Sequence, residues 1–138
     1  MIHQVYLSLG SNLGNKEENL MRAVMLLEEA AGRVMRRSSF YYSEPQDFVS
    51  VNSFVNCCLL METQLSPNRL LTATESIERQ MGRTEKTQNG IHTDRIIDID
   101  ILLYDDLCLS TPTLTLPHPK MQERDFVMIP LKEILTEK

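Results

Sequence analysis

No stretch of this sequence approaches the roughly 20 consecutive apolar residues that a membrane helix requires. The opening MIHQVYLSLGSN also lacks the basic-then-apolar layout of a signal peptide. A cytoplasmic protein with no membrane partner is expected. Cysteine is sparse: Cys57, Cys58 and Cys108 are an odd number with no CxxC and no companion histidine spacing. Disulfide and zinc readings are therefore weak, and reduced packing thiols are the better expectation. Positive charge is in deficit, with 14 Lys and Arg against 19 Asp and Glu and a formal net charge of −5. Gripping nucleic acid needs a basic surface that displaces counterions, so nucleic acid is not an expected partner. Repeats and low-complexity segments are absent. No GK[ST] follows Gly10-Ser11-Asn12, which argues against a Walker-type kinase.

What is present fits one domain over residues 1–138, with 42% hydrophobic and 24% charged residues, enough to bury a single core. Residues 2–10 alternate Val5, Leu7 and Leu9 with other neighbours and predict a strand. Asn15 with Glu18 reads as a helix cap, and Leu20, Val24, Leu27 and Ala31 recur at helical spacing until Gly32. Residues 34–43 and 51–63 read as strands two and three. Ser66-Pro67 opens a second helix with Leu70, Leu71, Ile77 and Met81 as its buried stripe, ending at Gly82. Residues 83–95 carry no apolar period and hold the turn chemistry Gln88-Asn89-Gly90, so an exposed, mobile loop is expected there. Residues 96–104 give a fourth strand, LCLSTPTLTLP a short hairpin, and FVMIPLKEIL a closing helix in which Pro130 marks a break or a first turn. The order βαββαβ predicts an α+β, ferredoxin-like split βαβ fold: an antiparallel sheet with both helices on one face and a ligand cleft on the other.

Asp98 and Asp100 carry the chemistry. Residues two apart on a strand share a face with Cα atoms roughly 6–7 Å apart, while Ile97, Ile99, Ile101 and Leu103 are expected to point the other way into the core. Two converging carboxylates suit Mg²⁺ bridging phosphate oxygens, but the pair equally fits a solvated strand face. Arg83, Lys86, Arg95 and Arg124 cluster around it in sequence and supply the cations that a metal-bound polyphosphate needs; singly, each is an ordinary surface residue. Phe54 and Asn56 share a face of the third strand, giving either a planar-ligand site or ordinary core beside a satisfied amide. His118, between Pro117 and Pro119, is placed to donate to a phosphate or to serve structure alone.

In order along nearly the whole chain, LGSNLG (9–14), SSFYYSEP (38–45), FVNCCLLMET (54–63), IERQMGR (77–83), DRIIDIDILLY (94–104) and LTLPHPKMQERDFVMIPL (114–131) resemble the 6-hydroxymethyl-7,8-dihydropterin pyrophosphokinase family. LGSN or DID alone is weak; RxxDxDIL followed by PHPxMxxRxFV is specific in combination. The resemblance implies transfer of pyrophosphate from ATP to a hydroxymethyl pterin in folate synthesis. It implies two Mg²⁺ ions on Asp98 and Asp100, and phosphate contacts from Arg83, Lys86, Arg95, His118 and Arg124, the first three in or beside a loop closing on ATP. Glu78, Ile101 and Thr115 become nucleotide-site positions, and Ser43, Phe54, Asn56 and Phe126 a pterin pocket. A monomer acting on small molecules is expected. The 83–95 loop departs from the family's pattern by two extra residues and by Glu85, where a basic group is common; Pro119 and Thr113 depart where an aromatic and an arginine occur. Two competitors use the same features: a two-metal nucleotidyl transferase, and a ferredoxin-like module that senses a nucleotide without chemistry.

Overall fold

The structure is a computed structural model that describes residues 1–43, 53–82, 87–88, 91–92 and 96–135. Its centre is strand β1 (His3–Ser11), which pairs antiparallel with β4 (Phe54–Thr63) on one side and β7 (Asp98–Tyr104) on the other. β2 (Gly32–Arg37) lies outside β4, giving the order β2-β4-β1-β7. Helix α1 (Lys16–Ala30) follows β1 and helix α2 (Pro67–Gln80) follows β4. This is the expected split βαβ topology. Both helices start where local chemistry says they should: Asn15 Oδ1 accepts the Glu18 N–H, and Ser66 Oγ accepts the Arg69 N–H ahead of Pro67. Gly32 has a different role from a helix stop. It opens β2, where a Cβ would run into the Glu62 carbonyl of β4.

Alternation on the strands sorts side chains into two layers. Val5, Leu7, Leu9, Cys57, Leu59, Met61, Ile99 and Ile101 face α1 and α2 and meet Leu20, Leu27, Leu70 and Ile77 in the main core. The opposite face is half covered. A third helix, α3 (Asp125–Ile134), lies on it and encloses a second cluster of Tyr6, Cys58, Leu60, Leu102, Val127, Leu131 and Ile134. The ligand cleft expected on that face is thereby confined to the sheet end bearing Asn56 and Asp98.

Three expectations are revised. The single strand over 34–43 is two, β2 and β3 (Tyr41–Ser43), both pairing with β4. Between them buried Ser38 donates its N–H to the Cys58 carbonyl and accepts the Cys58 N–H on its hydroxyl, so a side chain stands in for a ladder bond. Leu103 does not join the helix-side core: the β1/β7 register shifts between Tyr6 and Leu7, and Leu103 packs on the second cluster with Leu102. A bulge inserts one residue and resets the alternation beyond it. Pro130 neither breaks nor starts α3 but sits inside it and is buried. Its missing N–H costs the bond to the Phe126 carbonyl, and burial of the ring offsets that loss.

The hairpin predicted in LCLSTPTLTLP is present as β8 (Leu109–Ser110) and β9 (Thr115–Leu116). Within the expected 83–95 loop, β5 (Thr87–Gln88) pairs with β6 (Ile91–His92), which places two short strands around the predicted turn. The remainder of that loop lies outside the described residues. Among the described residues, no helix is long and apolar enough to cross a membrane.

Candidate active site

Registers on either side of β1 align residues far apart in sequence. Gly10 is opposite Asn56 on β4 and Asp98 on β7, and Ser8 is opposite Cys58 and Asp100. Strands lie roughly 4.8 Å apart, so Asn56 and Asp98 sit about 10 Å apart across the sheet. The two aspartates, on the same face and half-buried, stand at the edge of this row.

Gly10, within the LGSNLG segment, sets the packing of this row. A Cβ built on it would lie 2.5 Å from Asn56 Nδ2. Its missing side chain is what lets the Asn56 amide lie across β1 and donate to the Leu9 carbonyl at 3.3 Å. Asn56 is only 5% exposed, yet its Oδ1 has no hydrogen-bond partner among the described residues. Ser43 Oγ is likewise buried and unpartnered. These two atoms flank one ring: Ser43 is opposite Phe54, and Phe54 is two residues from Asn56 on the same face. Leaving a buried polar atom unpaired costs roughly 1–3 kcal/mol. Two such atoms around a half-buried aromatic ring describe a site shaped for a planar ligand with its own donors and acceptors.

Beside them opens a cavity of about 270 Å³ lined by Tyr41, Ser43, Glu123, Arg124, Asp125 and Phe126. Phe126 and Arg124 come from the start of α3, the guanidinium 5.6 Å from the ring centroid. Tyr41 is opposite Asn56 and faces the same way. The four proposed pterin residues, Ser43, Phe54, Asn56 and Phe126, thus lie around one end of the sheet. Tyr41, Glu123 and Asp125 complete its wall, and only the strand pairing and the placement of α3 reveal them.

The nucleotide candidates fall along the outer edge of β7. Ile99, between the two aspartates, donates its N–H to the buried Glu78 carboxylate of α2 at 2.7 Å. Ladder alternation turns the main chain of Ile101 to the same edge, while its side chain lies in the helix-side core. His118 is tied there too, its N–H donating to the Leu102 carbonyl at 2.9 Å. Its Nδ1 accepts the Lys120 N–H at 3.2 Å, so the neutral ring carries its proton on Nε2. Thr115 stands on β9, which packs against β7. Arg83, Lys86 and Arg95 lie outside the described residues.

Cys58 shares the Ser8–Asp100 row but is closed over by α3, its thiol donating to the Val127 carbonyl. Burial pushes both the Cys57 and Cys58 thiols up to about 12. They remain neutral packing groups, as expected.

Known proteins resemble the chain over most of its length. The family model described as 7,8-dihydro-6-hydroxymethylpterin-pyrophosphokinase (HPPK) matches residues 6–136. The 2-amino-4-hydroxy-6-hydroxymethyldihydropteridine pyrophosphokinase of Porphyromonas gingivalis is 44% identical over 131 residues, covering 94% of this chain and 89% of that protein. The Bacillus subtilis protein of the same name is 41% identical over 130 residues, covering 94% and 76%. A crystal structure of Plasmodium falciparum HPPK-DHPS with pteroate shares the fold, with a TM-score of 0.77 at 14% identity over 96% of this chain. The chain spans 39% of that longer one. A match over nearly every residue of the chain, shared with relatives above 40% identity, shows that the chain belongs to the 7,8-dihydro-6-hydroxymethylpterin-pyrophosphokinase family.

Proposed function

We propose that the family's reaction, transfer of pyrophosphate from ATP to 6-hydroxymethyl-7,8-dihydropterin in folate synthesis, takes place at the sheet end between Asn56 and Asp98. The observation that carries this placement is the pair of unpartnered buried atoms, Ser43 Oγ and Asn56 Oδ1, on either side of Phe54. A pterin ring stacked between Phe54 and Phe126 would satisfy both, with Asn56 reading its edge. Its hydroxymethyl group would then extend along the row past Gly10 toward the aspartates.

ATP would lie along the β7 edge, its base end near Glu78, Ile101 and Thr115 and its phosphates near His118 and Arg124. Arg83, Lys86 and Arg95 are assigned to the phosphates on sequence grounds alone. The pterin hydroxyl oxygen forms a bond to the β-phosphorus, the bond from that phosphorus to the α-bridging oxygen breaks, and AMP leaves with the electron pair. The hydroxyl proton passes to solvent. The residues present fit Mg²⁺: the half-buried Asp98 and Asp100 carboxylates share one face of β7 and offer hard oxygen ligands. Such a pair leaves coordination positions for phosphate oxygens and water, as Mg²⁺ prefers. Asp98 and Asp100 would hold the ions, two by the family's pattern, and the bound metal would neutralise charge on the polyphosphate.

We place the chain in the cytoplasm as a single-domain monomer that uses neither nucleic acid nor membrane; the net charge of −5 supports the absence of a nucleic-acid partner. The test is AMP release from ATP and hydroxymethyl dihydropterin, paired with calorimetry on Asn56→Ala. Loss of roughly 1–3 kcal/mol in pterin binding with ATP binding kept is the expected result. An equal loss for both ligands would make Asn56 a structural residue.

A further inference from the structure

The Ser43–Phe54 pair forms the outer wall of the proposed pterin pocket, and both residues adjoining it in sequence are held from outside the sheet. Tyr42, next to Ser43, donates its hydroxyl to Glu17 Oε2 at 2.7 Å. Ser53, next to Phe54, accepts from the Lys16 ammonium on its carbonyl oxygen at 3.0 Å and its hydroxyl at 3.2 Å. Lys16 and Glu17 are consecutive residues in the first turn of α1. One helix terminus thus grips both strands of the wall from the two sides of a single cross-strand pair.

Helix chemistry alone does not account for Lys16. A cation in the first turn opposes the helix dipole, and this one is turned away from its own helix toward the β4 main chain. Glu17 suits a first turn, but its carboxylate is also spent on a partner outside α1. The same contact holds Glu17 below its ordinary carboxylate range, the Tyr42 hydrogen bond being the main cause, and holds the Tyr42 phenol above its own. β3 is only three residues long, and among the described residues its strand partner is β4.

We propose that Lys16 and Glu17 are positioning residues that set the spacing of Ser43 and Phe54, and with it affinity for the pterin rather than for ATP. The inference rests on the pterin pocket assigned above. α1 packs on the helix side of the sheet and contributes no residue to the cavity lining, so the effect would reach the pterin through Tyr42 and Ser53.

The test uses the full chain with three variants, Lys16→Met, Glu17→Ala and Tyr42→Phe, and their conservative counterparts Lys16→Arg and Glu17→Gln. Calorimetry with hydroxymethyl dihydropterin and, separately, with magnesium and a non-hydrolysable ATP analogue gives the two dissociation constants. Each disruptive variant should weaken pterin about 3- to 10-fold and the Lys16→Met/Glu17→Ala pair about 10- to 30-fold. The nucleotide constant and kcat should move less than twofold. Pterin KM should rise with the dissociation constant, and Lys16→Arg and Glu17→Gln, which keep a donor and an acceptor, should restore it. Unchanged pterin affinity in the double variant, measured beside an Asn56→Ala control that does lose pterin, overturns the clasp and leaves the pocket standing. If Asn56→Ala also binds normally, the pocket assignment falls and the clasp with it. Equal losses for pterin and nucleotide alongside a lowered melting temperature make the two residues structural and likewise overturn the proposal.

Discussion

Gly10→Ala isolates the site from the fold. The added methyl would stand 2.5 Å from Asn56 Nδ2, about 1 Å inside ordinary contact. What it meets is the far end of a side chain rather than backbone, so the amide can swing away while the sheet stays intact. That movement breaks the 3.3 Å bond to the Leu9 carbonyl and carries Oδ1 off the position proposed to meet the pterin. The stability terms oppose one another: replacing a strand glycine gains about 0.5–1 kcal/mol, and one lost hydrogen bond costs about 1 kcal/mol. The net change should therefore stay within about 1 kcal/mol. Binding has no such offset, and loss of edge recognition should weaken pterin by about 1–3 kcal/mol, or roughly 5- to 150-fold. Calorimetry for each ligand and a thermal melt supply the numbers. A double-mutant cycle sharpens the test, because in an Asn56→Ala background the added methyl meets nothing and its binding effect should vanish. Normal pterin affinity in Gly10→Ala, or an undiminished effect in the Asn56→Ala background, would refute the reasoning.

Asp98→Ala and Asp100→Ala should each lower turnover at least about 100-fold with the fold kept by circular dichroism, since a lone carboxylate holds magnesium poorly against a polyphosphate; near-normal turnover in either rejects the metal assignment. Ser43→Ala removes a buried hydroxyl that has no protein partner, so the apo melting temperature should hold or rise while pterin binding weakens several-fold. At the other end of the sheet, partial burial pushes the Asp105 carboxyl up, but the Gln4 N–H and the His3 ring outweigh it and hold the group below its ordinary value. A depressed carboxylate contributes stability that is present above its unfolded pKa and lost as pH falls through the folded one. Acid titration of the fold should accordingly show Asp105→Asn losing less stability than the parent below about pH 4, and parallel curves would remove Asp105 from the acid limb.

The readable parts of the fold were those decided within a few residues. The caps at Asn15 and Ser66 need only a hydroxyl or amide three residues from an N–H, and the helix stripes need only a period of 3.6. The split between β2 and β3 was hidden because it depends on Ser38 meeting Cys58, twenty residues away. The placement of Leu103 failed for a similar reason: the bulge that turns it is a property of two paired strands. Pro130 reads as a breaker in sequence, whereas burial of its ring inside α3 outweighs one missing bond.

The site divides along the same line. The shared face of Asp98 and Asp100 was legible because two residues apart on one strand is a local relation. The relation of Asn56 to Asp98 runs through Gly10 and requires the register of three strands. That register is set by hydrophobic sorting, since slipping β7 by one residue would turn Asp98 and Asp100 into the helix-side core and expel Ile99 and Ile101. Burying two carboxylates against Leu70 and Ile77 would cost several kcal/mol each, on top of the lost apolar burial of two isoleucines. The alternative register is therefore strongly disfavoured, and the face that the aspartates occupy is settled by the isoleucines between them. Alignment of the acids with Asn56 is in this sense a product of the core, while the proposed clasp assigns the fine placement of the proposed pterin wall to polar contacts at the sheet end, where the core gives out.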